Sequence, residues 1–230
     1  SEGGSVLGTA IDKYCYITVR KLPPFFEHKH RIAWSQIETV KEIDEIHHPL
    51  VREGFKFMGV NDGLELHHDG DLPARSGLGT SSAFAVGMLH ALYALKGQMP
   101  SKMQLARDAI HLERDILGEN VGNQDQTFAA FGGLNQIDFN PDDSIQIKPL
   151  VLKAERIREL EQHLMLMFTG LSRNASDVSA EQVRETPNHK PELSAMCEMV
   201  HQAKYLLTSA TDIREFGKLL DRSWQIKRRL

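Results

Sequence analysis

Residues 71–84, DLPARSGLGTSSAF, place two glycines and three small hydroxyl residues directly before an apolar segment. A helix N-terminus carries unpaired backbone N–H groups and the positive end of the helix dipole, so an anion is favoured there. The glycines permit close backbone approach, and the hydroxyls can cap the helix, donate to phosphate oxygens or bind magnesium. These residues are Gly77, Gly79, Thr80, Ser81 and Ser82. The stretch fits a phosphate site, and it equally fits a glycine turn before a capped helix.

Three known loop patterns do not fit this stretch. The Walker pattern G-x-x-x-x-G-K-[ST] needs Ser or Thr directly after Gly-Lys. Here the pair Gly217-Lys218 is followed by Leu219. The dinucleotide pattern G-x-G-x-x-G fails at its last position, where Ser82 stands. The hydrolase elbow G-x-S-x-G is matched only loosely by GTSSA, which ends on Ala83. A phosphate site here would therefore belong to another class.

Length and composition are those of a globular protein, with 230 residues, of which 41% are hydrophobic and 25% charged. No apolar run reaches the roughly 18 residues that cross a bilayer, and no signal-peptide order opens the chain. The sequence therefore predicts a cytoplasmic protein without a membrane partner. A net charge of -4 gives no general attraction to nucleic acid. Cys15 and Cys197 match no metal or redox spacing and are expected to be packing residues.

The order of apolar patterns predicts an α+β fold in two lobes, with residues 1–153 in the first and residues 154–230 in the second. Strands are expected at 10–20, 64–68 and 164–168, a hairpin in GGLNQIDF and SIQIKPLVL, and helices at 81–96 and 101–117. The chain starts at Ser1, and its last amphipathic segment reaches Leu230 without a Gly or Pro stop. We therefore expect an internal portion of a longer protein.

One carboxylate falls on the apolar face of the predicted helix 101–117. At about 100° per residue the apolar arc encloses Glu113, whereas the other charged side chains lie on the solvated side. Those side chains are Arg107, Asp108, His111, Arg114 and Asp115. A buried carboxylate needs a partner. Either magnesium shared with substrate phosphates or a salt bridge to a core Arg or Lys would supply it.

A second acidic candidate follows in VGNQDQTFAAFGG, residues 121–133. Asp125 stands in a polar stretch just ahead of an apolar helical turn. One interpretation makes it a helix N-cap. The other makes it a general base that takes the proton from an attacking hydroxyl.

Together, PARSGLGTSSAF, the helix with Glu113 and NVGNQDQTFAAFGG resemble the GHMP kinases, the family of galactokinase, homoserine kinase, mevalonate kinase and phosphomevalonate kinase. The signature P-x-x-x-G-L-G-[ST]-S is matched by Pro73, Gly77, Leu78, Gly79, Thr80 and Ser81. The resemblance implies a ribosomal-protein-S5-like N-terminal lobe that binds ATP and a ferredoxin-like C-terminal lobe that is incomplete here. The family's first and last motifs would stand before residue 1 and after residue 230.

The resemblance also implies roles for individual residues. Pro73 and the loop of Arg75, Ser76, Gly77, Leu78, Gly79, Thr80, Ser81 and Ser82 would wrap the ATP phosphates. Thr80 or Ser81 would hold Mg2+ with Glu113, and Asp125 would act as base or electrostatic anchor. In TGLSRNAS, residues 169–176, Arg173 would counter a phosphate charge, although a surface salt bridge is an equal alternative. EGGSVLGTAI resembles the segment behind the sugar site.

Within the family, HLERDILGENVGNQDQ and HPLVREGFKFMGV most resemble the kinases that convert D-glycero-D-manno-heptose 7-phosphate to the 1,7-bisphosphate. Alternatives are a fucose or galactose kinase, a non-catalytic nucleotide or sugar binder, and a serine hydrolase with Ser81 as nucleophile. The hydrolase would need a base from His163, His189 or His201. The paired histidines show no zinc-ligand spacing. The sequence leaves the oligomeric state unknown.

Overall fold

The computed structural model describes residues 3–74, 76–167, 170, 184 and 186–230. The chain forms two compact units, one built on Ile11–Phe131 and the other on the described parts of 1–10, 132–170 and 178–230. The first strand pairs with residues 134–139 and so joins the start of the chain to its second half.

The strands are β1 (Gly4–Thr9), β2 (Cys15–Lys21), β3 (His30–Ala33), β4 (Ile37–Val40), β5 (Leu64–Gly70), β6 (Leu134–Phe139) and β7 (Ile145–Pro149). The α-helices are α1 (Pro49–Phe57), α2 (Thr80–Leu95), α3 (Lys102–Ile110), α4 (Gln124–Phe131), α5 (Ala154–Gln162), α6 (Lys190–Thr208) and α7 (Arg214–Lys227). Short 3-10 turns span Ile43–Glu45 and Thr186–Asn188, and a π-helical segment spans His111–Ile116. Across the described ranges, no helix is long and apolar enough to cross a membrane.

The unit on Ile11–Phe131 has a four-stranded sheet in the order β2-β5-β3-β4. β3 and β5 run parallel, and the other neighbouring strands run antiparallel. Along β2 the side chains alternate, so that Cys15, Ile17 and Val19 pack against the core while the residues between them are exposed. Burial raises the pKa of the Cys15 thiol to about 11.

Helix α2 is the centre of that core. Phe84, Met88, Leu89 and Leu92 are buried among side chains of α1, α3 and the sheet, while His90 is exposed. Burial of each such side chain contributes about 1.5–3 kcal/mol. The predicted helix at 81–96 is thus confirmed, and its buried face fixes the helix end that carries the glycine turn.

The predicted helix 101–117 is correct in position but changes type along its length. Ser101 caps α3, its Oγ accepting the Gln104 N–H at 3.1 Å. After Ile110 the chain winds as the π-helical segment, whose wider turn shifts the phase of the side chains. Two expectations were wrong. Ile116, within the π-helical segment, is 37% exposed. Asp108, in α3 before that segment, is buried, and Tyr93 and Gln104 donate hydrogen bonds to its carboxylate.

The other unit contains the antiparallel sheet β1-β6-β7. The predicted hairpin is confirmed as β6 and β7, in register from Asn135 opposite Pro149 to Phe139 opposite Ile145. The predicted strand 10–20 was wrong at its start, because Ala10 to Tyr14 connect β1 to β2.

The strand expected in LMLMF is wrong for residues 164–167, which have no regular secondary structure. Met165 is 83% exposed and Met167 is 74% exposed. A strand exists only through pairing with a neighbour, and no strand of the described chain pairs with this segment. Its last residue, Phe168, lies outside the described residues.

Candidate active site

The glycine turn ends at the N-terminus of α2. Gly77 and Gly79 have φ of 76° and 68°, in the left-handed region that favours glycine. Gly79 occupies the N-cap position, and no side-chain hydrogen bond caps this end of the helix. The interpretation of the turn as a side-chain cap is therefore wrong. The first-turn N–H groups of a 16-residue helix face the turn without a capping hydroxyl.

Glu113 lies beside this turn and is fully buried, at 0% exposure. Its Oε1 accepts a hydrogen bond from Ser81 Oγ at 2.9 Å. Its Oε2 accepts one from Ser82 Oγ at 2.9 Å and another from Gln126 Nε2 at 2.6 Å. Burial raises the pKa of Glu113, the three hydrogen bonds lower it, and the nearby Asp125 charge raises it further. The sequence thus placed this carboxylate correctly on the apolar side.

Asp125 also lies beside the glycine turn. A Cβ built on Gly79 would lie 3.4 Å from both Cγ and Oδ2 of Asp125. Helix α4 begins at Gln124, so Asp125 is inside the first turn and not at the N-cap position. Its side chain is exposed, and its negative charge suits a helix N-terminus. One buried and one exposed carboxylate therefore lie beside the glycine turn.

Ser82 and Gln126 have a place in this cluster that the sequence did not reveal. Ser82 was expected to contact phosphate, but it is only 5% exposed and its hydroxyl donates to Glu113. Gln126 is fully buried and was not predicted to take part. Nothing in the sequence distinguished it as a partner of Glu113.

The remaining expected loop residues lie around the turn. Pro73 and Leu78 are exposed, and Thr80 is half-buried at the start of α2. Ser76 Oγ is buried and has no hydrogen-bond partner in the described part of the chain. Arg75 and Arg173, together with most of TGLSRNAS, lie outside the described residues.

The donor set suits magnesium better than zinc. Ser81 Oγ and Glu113 Oε1 are hard oxygen atoms 2.9 Å apart. Magnesium prefers oxygen ligands of this kind. Within the described ranges, no group of three or more His, Cys, Asp or Glu side chains is arranged to hold a metal. A cation here would thus depend on one carboxylate, a hydroxyl and oxygens from a phosphate ligand.

Three histidines of the same unit pack against phenylalanine rings. His30 Nδ1 accepts the Leu64 N–H at 3.3 Å, and its ring lies 5.8 Å from that of Phe55. The rings of His48 and His68 lie 5.2 Å and 4.8 Å from that of Phe84. Burial lowers the pKa of all three histidines.

Parts of the chain are similar to known proteins. The family model for the GHMP kinases N terminal domain matches residues 40–133. A D-glycero-alpha-D-manno-heptose 7-phosphate kinase of Campylobacter jejuni is 32% identical over 168 residues, covering 72% of this chain and 49% of that protein. A galactokinase of Pyrococcus furiosus is 25% identical over 192 residues, covering 79% of this chain and 52% of the relative. The chain thus spans about half the length of these two relatives.

Solved structures of this family share the fold. A D-glycero-D-manno-heptose 1-phosphate kinase of Bacteroides thetaiotaomicron superposes with a TM-score of 0.74 at 22% identity, covering 99% of this chain and 72% of that one. The Methanococcus jannaschii mevalonate kinase gives a TM-score of 0.68 at 14% identity, covering 99% and 73% of the two chains. The predicted α+β fold of the GHMP kinase type is confirmed. Residues 40–133 are thus identified as a GHMP kinases N terminal domain.

Proposed function

We propose that the full-length protein is a sugar-phosphate kinase that uses ATP and Mg2+. Its reaction would transfer the γ-phosphoryl group to the anomeric hydroxyl of D-glycero-D-manno-heptose 7-phosphate and give the 1,7-bisphosphate. The observation that carries the kinase proposal is the meeting of Glu113 and Asp125 at one uncapped glycine turn. The choice of acceptor is supported by the 32% identical heptose 7-phosphate kinase.

The glycine turn is suited to hold the nucleotide phosphates. Gly77 and Gly79 present no side chain, so the backbone can approach phosphate oxygens closely. The N-terminus of α2 adds N–H donors and its dipole, and Thr80 adds a hydroxyl at the same end. The buried Ser76 hydroxyl, without a partner in the described chain, is a further donor for a ligand. We propose that these groups bind the β- and γ-phosphates.

Glu113 and Ser81 are the residues that would hold Mg2+. Bound magnesium neutralises charge on the phosphate oxygens during phosphoryl transfer. Ser82 and Gln126 hold the carboxylate from the buried side, while Ser81 contacts it from the exposed side. Because these partners are preorganised, the site requires little rearrangement when the nucleotide binds.

Asp125 is the proposed base. Its exposed carboxylate accepts the proton of the anomeric hydroxyl, whose oxygen forms the new bond to the γ-phosphorus. The bond between that phosphorus and the β,γ-bridging oxygen breaks, and ADP leaves with the bonding electrons. Arg173, outside the described residues, would offset charge on the sugar's own phosphate. The proposed protein has an ATP-binding lobe at 1–153, a partial second lobe at 154–230 and a cytoplasmic location.

The acceptor is decided by an assay of the full-length protein over heptose 7-phosphate, unphosphorylated heptose, galactose and fucose. Galactose and fucose are included because a galactokinase and a fucokinase are each 25% identical to the chain. We expect ADP release with heptose 7-phosphate and an acid-labile anomeric phosphate in the product, detected by phosphorus NMR. Nucleotide binding without turnover on any sugar would overturn the kinase proposal and select a non-catalytic binder. Labelling of Ser81 by a serine-directed phosphonate would select a hydrolase instead.

A further inference from the structure

Gln126 is the third polar side chain that contacts Glu113, and nothing about its neighbours in sequence requires a polar residue there. The residue is fully buried in α4. Its Nε2 donates to Glu113 Oε2 at 2.6 Å, the shortest of the three hydrogen bonds to this carboxylate. Its Oε1 is buried and has no hydrogen-bond partner among the residues that the structure describes. The side chain thus makes one strong contact and leaves one acceptor unused.

The contact fixes which end of the amide faces the carboxylate. An ionised carboxylate only accepts hydrogen bonds, so an amide atom 2.6 Å from it must be the NH2 group. Oε2 then accepts from two buried donors, Ser82 and Gln126. Oε1 accepts from Ser81, which is exposed. The two oxygens of Glu113 therefore differ, with one held toward the interior and the other shared with the exposed hydroxyl.

We propose that Gln126 is a positioning residue that fixes the rotation of the Glu113 carboxylate, so that Oε1 is the oxygen presented to a cation at the glycine turn. This inference rests on the proposed kinase function. Asp125 precedes Gln126 in the same helical turn. One short helix therefore carries the proposed base on its exposed side and orients the proposed magnesium ligand from its buried side.

The test compares the full-length parent protein with Gln126→Met, which keeps the side-chain length and removes the amide. Gln124→Met is the matched control, because Gln124 is exposed two residues earlier in α4. ATP binding is measured by titration calorimetry at a series of magnesium concentrations and again in EDTA. We expect Gln126→Met to raise the magnesium concentration for half-maximal ATP binding by about 10–100-fold, the usual effect of losing a residue that orients a metal ligand. Binding in EDTA should stay within about twofold, and Gln124→Met should match the parent.

Three results would overturn the inference. An unchanged magnesium dependence in Gln126→Met overturns the inference alone. An equal loss of ATP binding in magnesium and in EDTA also overturns the inference alone. Such a loss would reflect a general effect on the fold, which acts under both conditions. A parent protein without magnesium-dependent ATP binding overturns the proposed function, and this inference with it.

A measurement on the parent protein decides the question if Gln126→Met does not fold. The side-chain amide of Gln126 is followed by nitrogen-15 NMR as magnesium and a non-hydrolysable ATP analogue are added. We expect one amide proton to stay downfield and protected from exchange in the loaded protein, because the hydrogen bond to Glu113 persists. Loss of that protection on loading would show that the amide leaves the carboxylate and would overturn the positioning role.

Discussion

Ser81 and Glu113 stand 32 positions apart in the chain, and a hydrogen bond of 2.9 Å joins the hydroxyl of one to the carboxylate of the other. Ser81 belongs to the first turn of α2, and Glu113 belongs to the π-helical segment after α3. Their contact therefore depends on how these helices pack. Leu112, next to Glu113, is fully buried in the same core as Met88 and Leu89 of α2. The core thus determines the geometry of the candidate site.

Replacing Asp125 with Asn should remove the proposed base and leave the fold intact. We expect kcat to fall by about 10²–10⁴-fold, the usual contribution of general base catalysis. The unfolding temperature should not change, because the side chain is exposed. Steady-state assays and thermal unfolding of the full-length protein check both expectations. Turnover equal to the parent's would refute the role of Asp125.

The two glycines of the turn should respond differently to alanine. Both have positive φ, so each substitution should cost about 1–2 kcal/mol of stability. At Gly77 the added Cβ would meet open space, whereas at Gly79 it would contact Asp125 at 3.4 Å. We expect Gly79→Ala to lower kcat/KM more than Gly77→Ala at similar stability. Urea unfolding and kinetics of the pair measure this, and equal kinetic losses would contradict it.

Removing the Tyr93 hydroxyl should destabilise the fold without affecting catalysis. This hydroxyl donates to Asp108 at 2.7 Å, and the hydrogen bond raises the pKa of Tyr93 to about 12. Because Asp108 is buried, Tyr93→Phe should lower the free energy of unfolding by about 1.5–3 kcal/mol, with kcat and KM unchanged. Tyr205→Phe, at a 67% exposed position, is the control and should stay within about 0.5 kcal/mol. Denaturant unfolding measures both variants. An equal loss of unfolding free energy in the two would disprove the stabilising role of the Tyr93 hydroxyl.

Glu65 should make stability depend on acid pH. A hydrogen bond with His67, with further ones from Arg31 and Arg20, lowers the pKa of Glu65 from 4.5 to about 2. A lowered carboxyl pKa adds stability that is complete above pH 4.5 and is lost as the pH falls toward 2. We expect Glu65→Gln to lose about 1.5–3 kcal/mol at pH 7, with a smaller difference from the parent at pH 3.

Urea unfolding of the parent and Glu65→Gln at pH 7 and pH 3 measures this effect. Asp62→Asn is a matched control, because Asp62 pairs with Lys21 at the surface and both side chains are 64% exposed. Exposed pairs contribute little, so its effect should be small at either pH. If Glu65→Gln loses the same unfolding free energy at both pH values, titration of Glu65 does not cause the pH dependence.

The burial of Glu113 could be predicted from the sequence, but the partners of its carboxylate could not. The expected partner was magnesium or a core Arg or Lys, and the structure places Ser81, Ser82 and Gln126 around it. Asp108 was missed because a charged side chain of a helix is normally solvated, whereas here Tyr93 and Gln104 satisfy its carboxylate at a buried position. Gln126 was missed because a neutral amide gives no charge signal at a buried position.

The strand errors have a common physical cause. β1 was not predicted because its glycine-containing sequence carries weak strand propensity, and its partner β6 lies more than a hundred residues away. LMLMF was predicted as a strand from its apolar run alone, although pairing, which a single sequence does not show, decides whether a strand forms.

The pairing of β1 with β6 has a consequence for the order of events during synthesis. Ser5 donates to Asp138 at 2.6 Å across a sequence separation of 133 residues. The ribosome adds roughly 5–20 residues per second, so β6 is synthesised on the order of ten seconds after β1. All residues of Ile11–Phe131 are synthesised in that interval. The segment Ile11–Phe131, which carries Glu113 and Asp125, is therefore synthesised before the first strand can pair.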